Sequence, residues 1–230
     1  MEKCCMPFTY KIPVTSLILS IFILWQPTLA DSRRDAPWDR EETPSISDIN
    51  KCLGGFSESF RLGGEVNNPT TYNLEKLRNL QDTLKNQNQE LITEITVSFK
   101  AGSSTRTETY YGIPLWELIN NSKAAGGLKP GNSGVNTKNS FLRQYVLVEA
   151  TDCYGAVVAI GEIQPNFEGK TVLVAYAKKG SDDTVVPLGI DEGFARLVVP
   201  GDKAGGRYVS NVRNILVFSA PPSPLKPKDF

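Results

Sequence analysis

Two arginines, Arg196 and Arg207, flank a glycine-rich turn and form the part of this sequence best suited to chemistry. Guanidinium groups match the geometry of phosphate oxygens, and glycines let backbone N–H groups approach a ligand closely. The turn between the two arginines contains Gly201, Lys203, Gly205 and Gly206. The segment is therefore a candidate cradle for a phosphate or another small anion. A β-hairpin with solvated arginines is the alternative that composition alone favours.

Composition removes several kinds of chemistry. The 230 residues include no histidine, so this chain cannot build a Ser-His-Asp triad, an HExxH zinc helix or a His-ligated haem. Lys+Arg and Asp+Glu both number 25, and the resulting net charge of zero disfavours nucleic-acid binding. We therefore expect no nucleic acid among the partners. A general base, if there is one, must be a carboxylate, a lysine, a tyrosine or a cofactor.

Residues 1–30 have the pattern of a secretory signal peptide. Lys3 and Lys11 precede an apolar stretch over 12–25, and Ala30 ends a small-residue cleavage motif. An uncleaved anchor is the weaker alternative, because the stretch is shorter than the ~20 residues that span a bilayer. We predict a secreted or periplasmic protein with no membrane anchor after cleavage.

Export bears on Cys52 and Cys153, which are the two cysteines outside residues 1–30. An oxidising compartment favours a disulfide between them, and two buried small hydrophobic residues are the other structural alternative. A reactive thiol or a metal ligand is the functional alternative, which we rank lower. The acidic pairs Asp182–Asp183 and Asp191–Glu192 lack the spacing of a calcium loop, so we expect solvated surface charge there and predict no metal site.

Short strands dominate the elements that must position these residues. Alternating or β-branched runs predict strands over 59–66, 91–100, 105–111, 145–150, 156–160, 171–176, 195–199 and 212–218. The apolar positions 74, 77 and 80 predict a short helix that starts from either Asn73 or Thr71, Pro114 opens another, and the amide-rich stretch 81–90 predicts a loop. The predicted fold class is therefore α+β and β-rich, with a few short helices.

The chain divides by composition into four parts. After the signal peptide we expect an N-terminal arm with a short helix over 31–58, because this stretch is charged and interrupted by prolines. One domain follows over 59–219. The tail over 220–230 is rich in proline and lysine.

Three motifs occur in a recognisable order. They are Gly-Ile-Pro-Leu-Trp from Gly112, Arg-Leu-Val-Val-Pro-Gly-Asp from Arg196, and Gly-Arg-Tyr-Val from Gly206. This succession resembles the molybdopterin-binding domain of sulfite-oxidase-type oxidoreductases over roughly residues 60–218. The resemblance implies a mixed α+β fold that holds the pyranopterin and phosphate of a molybdenum cofactor.

The resemblance also implies roles for particular residues. In that family, the arginine before the Val-Val-Pro-Gly strand and a basic residue after the glycine-rich turn help to hold the cofactor's phosphate. These would be Arg196 and Arg207 here, with Lys203 as a local addition and Gly201 and Gly206 in the turn. The implied partner is a phosphate-bearing cofactor or a small anion, and an active enzyme would pass electrons to a separate redox partner.

The departures from the family bear on catalysis. Its catalytic members bind molybdenum through a cysteine upstream of the Gly-x-Pro-Leu helix, and the comparable stretch over 96–102 contains none. A soft thiolate ligand holds such a metal and sets its reactivity, and the side chain of Ser98 or Lys100 is a poor substitute for a thiolate. Cys153 is a remote substitute that a bridge to Cys52 would exclude. The family's His-Gly before the phosphate arginine is replaced by Glu192-Gly193, and a carboxylate repels phosphate.

Two functions follow from these features. The first is an exported, molybdopterin-binding, oxidoreductase-like protein, a divergent member that lacks the molybdenum-ligand cysteine. The second is a non-catalytic binding or interaction module on the same fold. The missing cysteine and histidine favour the second, and no catalytic residue is assigned.

Overall fold

The computed structural model describes residues 52–130 and 138–221. They form a strand-rich α+β structure with two sheets and a few short helices, which agrees with the predicted class. The predicted signal peptide, nearly all of the helix expected in the N-terminal arm and the tail from residue 222 lie outside the described residues. Within these ranges no helix is both long and apolar enough to cross a bilayer.

The first sheet has the strand order β2-β1-β10-β5-β6. Its strands are β1 (Ser59–Gly64), β2 (Thr70–Asn73), β5 (Gln144–Ala150), β6 (Gly155–Ala159) and β10 (Val212–Ser219). β1 runs parallel to β10, with Leu62 opposite Ile215, and the other pairs are antiparallel. The parallel pair sets the segment before β1 beside the segment before β10.

The second sheet has the order β3-β4-β7-β8, and β9 pairs with β7 as well. Its strands are β3 (Glu94–Ala101), β4 (Ser104–Pro114), β7 (Leu173–Lys179), β8 (Val185–Pro187) and β9 (Arg196–Val198). All pairs are antiparallel. At Gly112 the register with β7 shifts, and a Cβ there would lie 2.2 Å from the Val174 carbonyl oxygen, so the motif glycine is required by this close approach.

In the described part of the chain, three α-helices connect the strands: α1 (Leu74–Gln87), α2 (Leu115–Asn120) and α3 (Ile160–Ile163). The Asn73 side chain accepts from the backbone N–H of Lys76 at 2.9 Å and caps α1, so the cap is Asn73 rather than Thr71, the other residue that the sequence suggested. The predicted loop over 81–90 is wrong as far as residue 87. Leu84 continues the buried stripe of Leu77 and Leu80, and this apolar spacing keeps the polar stretch helical.

Buried apolar side chains come from both sheets and from the helices. The largest fully buried ones are Tyr110, Phe60, Leu62, Leu77, Leu84, Ile113, Leu115, Leu118, Ile119, Ile160, Ile163 and Leu173. Each predicted strand is present, with ends displaced by a few residues. β2 and β8 were not predicted, because runs of 4 and 3 residues give no periodic signal.

Candidate functional site

Arg196 begins β9, and its guanidinium lies among largely buried groups. Nη1 donates to Glu192 Oε1 at 2.6 Å, and Cζ lies 5.7 and 5.9 Å from the ring centroids of Tyr110 and Tyr208. The side chain is 14% exposed, and Nε has no hydrogen-bond partner among the described residues. The guanidinium is therefore neutralised by a carboxylate of its own chain, while one buried N–H is left free.

Glu192 was expected to be solvated, and this prediction is wrong: the residue is 9% exposed. Its Oε2 accepts from Lys178 Nζ at 2.5 Å and from the Gly189 N–H at 3.0 Å, and its Oε1 accepts from Arg196. Burial alone would raise the pKa of Glu192. The Lys178 ammonium, the Gly189 N–H and Arg196 outweigh that effect and hold the pKa below its usual 4.5. The ionised carboxylate thus bridges two cations, and its single negative charge offsets one of their two positive charges.

Arg207 ends the short 3-10 turn Gly205–Arg207 and is surrounded by carboxylates. Its Nε and Nη2 donate to the two oxygens of Asp202 at 2.8 and 2.7 Å, and Nη1 donates to Glu162 at 3.1 and 3.3 Å. The bonds to Asp202, with those to Glu162, raise the pKa of Arg207 further above its usual range. A phosphate at Arg207 would meet two negative side chains that already use the guanidinium fork.

The other predicted residues lie in the turn before Arg207. Lys203 is exposed, and its carbonyl oxygen accepts from the Lys100 N–H at 2.9 Å. Gly201 has φ +87°, which suits glycine, and the Gly206 carbonyl accepts from the Tyr154 hydroxyl. These contacts attach the turn to β3 and to the β5–β6 connection.

The two predicted arginines lie in the same region, around Tyr208. Burial raises the pKa of Tyr208 to about 12, Asp202 raises it as well, and the charges of Arg196 and Arg207 act in the opposite direction. The Tyr208 hydroxyl is buried and has no hydrogen-bond partner in the described part of the chain. The structure therefore brings both guanidinium groups near one side chain, but pairs each of them with its own carboxylates.

Cys52 and Cys153 form a disulfide with a Cα–Cα distance of 5.1 Å. Cys153 lies in the turn between β5 and β6 and has φ +65°, so the bond attaches the segment before β1 to this turn. Both sulfurs are used in the bond, which leaves neither cysteine as a thiolate ligand. In residues 52–130 and 138–221, no group of three or more His, Cys, Asp or Glu side chains could hold a metal ion.

A cleft of about 240 Å³ opens beside the disulfide, and its lining includes Asp152, Tyr154, Asp191 and Tyr208. Four exposed apolar side chains belong to the segments that line it or lie next to them: Leu53, Phe56, Tyr154 and Ile190. We call this set the apolar rim. No local sequence pattern indicates the apolar rim, because its members come from three separate segments whose proximity depends on the disulfide and on the β1–β10 pairing.

The fold defines the class of this chain as a strand-rich α+β domain with two sheets. No family model matches this chain, and no curated protein matches it. Among solved structures, the sulfane dehydrogenase SoxCD from Paracoccus pantotrophus is similar over 70% of this chain, with 19% identity and a TM-score of 0.49. The similar region covers 38% of that structure's chain. A match at this level says nothing about activity.

The residues at the predicted site do not fit a molybdenum cofactor. Ser98, in the stretch where the family carries its ligand cysteine, bonds across the sheet to Thr107 Oγ1 at 2.7 Å. Both cysteines of the described chain are joined to each other. The phosphate would also have to displace Asp202 and Glu162 from Arg207. Arg196 Nε and the Tyr208 hydroxyl are the buried polar groups of this cluster that lack a partner among the described residues, and they are available to an additional ligand.

Proposed function

We propose that this chain is a non-catalytic binding or interaction module, exported from the cell, on a sulfite-oxidase-like fold. The observation that carries the proposal is the disulfide between Cys52 and Cys153. A molybdenum centre of the sulfite oxidase type needs a protein thiolate, and the disulfide uses both cysteines that could supply one. In this proposal the domain functions by binding a partner at its surface and has no catalytic metal centre.

The carboxylates around the two arginines support the same proposal. Glu192 is paired with Arg196, and Asp202 with Glu162 is paired with Arg207. These pairs are partly or largely shielded from water, so their attraction is screened less than that of exposed pairs. The arginines therefore stabilise the domain through ion pairs, in place of holding a cofactor phosphate.

The apolar rim is the surface best suited to a partner in this module. Leu53 and Ile190 are 78% and 77% exposed, although large aliphatic side chains are usually covered. They flank a cleft with two acidic residues, Asp152 and Asp191. An apolar set beside polar groups is typical of a protein–protein contact surface.

Metal and pterin analysis tests the proposal. The protein should be purified from its native compartment after growth with ample molybdate, and its molybdenum and pterin should be measured per chain. We expect far less than one equivalent of either. One molybdenum and one pterin per chain would overturn the proposal, and would support the molybdopterin-binding alternative instead.

The molybdopterin-binding alternative has one observation in its favour, namely the two buried groups without partners, Arg196 Nε and the Tyr208 hydroxyl. It predicts that Arg196→Ala and Arg207→Ala each abolish pterin retention. Lys179→Ala is the matched control, because Lys179 pairs with exposed Asp183 outside this cluster. Pterin that stays bound in both arginine variants would remove these residues from any cofactor site.

A further inference from the structure

A groove of about 480 Å³ runs along α1 and is not used by the function proposed above. We call it the α1 groove, and its polar lining consists of Asn68, Thr70, Lys76, Asn79, Thr83 and Lys123. The lining comes from the loop before β2, from the exposed side of α1 and from the loop after α2. Its volume is within the range of about 300–1,000 Å³ that is typical of small-molecule sites.

Lys76 provides this groove with a positioned cation that has no counter-ion. Its Nζ donates to Thr70 Oγ1 at 2.7 Å and to the Thr71 carbonyl at 3.0 Å, and it lies 5.1 Å from the Tyr72 ring centroid. Among the described residues no carboxylate lies within ion-pair distance of it. Neutral acceptors hold the ammonium in place without cancelling its charge. The Lys76 side chain is therefore already ordered, and it loses little further conformational entropy when an anion binds.

Three other side chains of the α1 groove, those of Lys123, Asn68 and Asn79, form no hydrogen bond among the described residues, whereas Thr70 and Thr83 each form one. Lys123 forms only a backbone hydrogen bond, from its N–H to Asn121 Oδ1, and its ammonium has no partner in the described chain. The side-chain amides of Asn68 and Asn79 are likewise unpaired within these residues. The groove thus combines two uncompensated cations with two free amides, each of which can both donate and accept.

The shape of the groove favours an elongated ligand. A neighbouring groove of about 440 Å³ shares Lys76 and Asn79 with it, so the two grooves adjoin at these residues and together form what we call the trough. Glu75 is the acidic residue in the lining of the second groove, and an anionic group is therefore expected on the Lys123 side of Lys76. A compact ion would leave most of the trough empty. A chain of hydroxylated rings would use the amides and threonines along its length, with an acidic group at the lysines.

An acidic peptide fits this trough less well. β2 is an edge strand, and an extended peptide would be expected to pair with its free backbone groups. Lys76 Nζ already bonds to the Thr71 carbonyl on β2, and this charged side chain covers the strand edge.

We propose that the α1 groove binds an acidic oligosaccharide, with a uronic-acid carboxylate between Lys76 and Lys123 and sugar hydroxyls on Asn68 and Asn79. The site is separate from the Arg196–Arg207 cluster. The presence or absence of molybdenum in the protein therefore leaves this proposal unaffected.

Calorimetric titration of the exported chain with a trimer of galacturonic acid tests the proposal, with the fully methyl-esterified trimer as a neutral control of the same shape. We expect saturable binding of the acid form and at least about tenfold weaker binding of the ester, since a charge-assisted hydrogen bond is lost. Lys123→Ala should weaken binding about tenfold without affecting the fold, because its ammonium makes no contact. Lys85→Ala, which changes a half-buried lysine in the last turn of α1 outside the lining, is the matched control.

Several results would overturn the proposal. They are no binding of the acid trimer at millimolar concentration, equal binding of the ester, or equal losses in the Lys123 and Lys85 variants. Tighter binding of a glutamate trimer would identify a peptide site instead. Displacement of the trimer by equimolar inorganic phosphate would show a general anion site rather than a saccharide site.

Discussion

Removal of the Cys52–Cys153 bond should lower the global stability of the domain without abolishing its fold. The bond joins residues that are 101 apart in sequence, and its loop contains β1 to β5. The chain-entropy relation gives about 4.7 kcal/mol for a closed loop of about 100 residues. Domains typically have ~5–15 kcal/mol of unfolding free energy, so we expect the reduced protein to remain folded with a smaller margin.

The native contacts near the bond explain why the fold should persist. The Gly54 N–H donates to the Thr151 carbonyl at 3.2 Å, and Thr151 Oγ1 donates to the Gly55 carbonyl at 2.7 Å. These hydrogen bonds keep the segment before β1 beside the β5–β6 turn when the sulfurs are reduced. The stability change therefore arises mainly in the unfolded chain, whose entropy the bond restricts.

Urea denaturation followed by circular dichroism, with and without reductant, measures this change. We expect a loss of about 3–5 kcal/mol for the reduced protein and for the Cys52→Ser/Cys153→Ser double variant, and no further effect of reductant on the variant. Thiol titration of the denatured, unreduced exported form should find no free thiol. Two free thiols, or a loss below about 1 kcal/mol, would refute the reasoning.

Three further changes test the interior of the candidate site. Glu192→Gln leaves two cations unpaired and should lower the free energy of unfolding by about 3 kcal/mol at neutral pH. Because the folded-state pKa of Glu192 is lowered, the stability of the wild-type protein should fall as the pH drops below 4.5. Denaturation series run from pH 7 to 3 should therefore show the difference between the two proteins shrinking at low pH. Gly193→Ala should cost about 2 kcal/mol or more in thermal unfolding, since Gly193 has φ +78° and an added Cβ would lie 2.6 Å from Asn211 Oδ1; an unchanged melting temperature would contradict this. Tyr208→Phe removes a hydroxyl without a partner and should leave stability unchanged or raised; a loss above about 1 kcal/mol would show that the hydroxyl has a partner in solution.

Local signals in the sequence predicted the elements better than their contacts. Asn73 and the spacing of Leu77 and Leu80 located the start of α1, because capping and apolar periodicity depend on neighbouring residues. The end of α1 was missed, since Leu84 alone keeps the polar stretch helical. β2 could not be predicted, because its pairing with β1 is a tertiary effect in a strand too short for periodicity.

The site was predicted in its residues but not in its pairing. The sequence indicated Arg196 and Arg207, and both lie near Tyr208 in the fold. It could not show that Glu162, which is 45 residues from Arg207 in the chain, would bond to it. Such long-range ion pairs depend on where the helices and turns are placed, and no local pattern encodes them. The α1 groove could not be predicted for the same reason, because its lining comes from three separate segments.

The kind of acceptor around a cation decides where this domain can bind an anion. Glu192 accepts from both Arg196 and Lys178, so an anion binding there would have to compete with a buried carboxylate for these cations. Lys76 is held equally firmly, but by a hydroxyl and a carbonyl, which position an ammonium without neutralising it. An approaching carboxylate must compete with an ion pair at Arg196, whereas at Lys76 no carboxylate of the described residues lies within ion-pair distance. Anion recognition is therefore expected at α1, although the arginine-rich segment carries the stronger signal in the sequence.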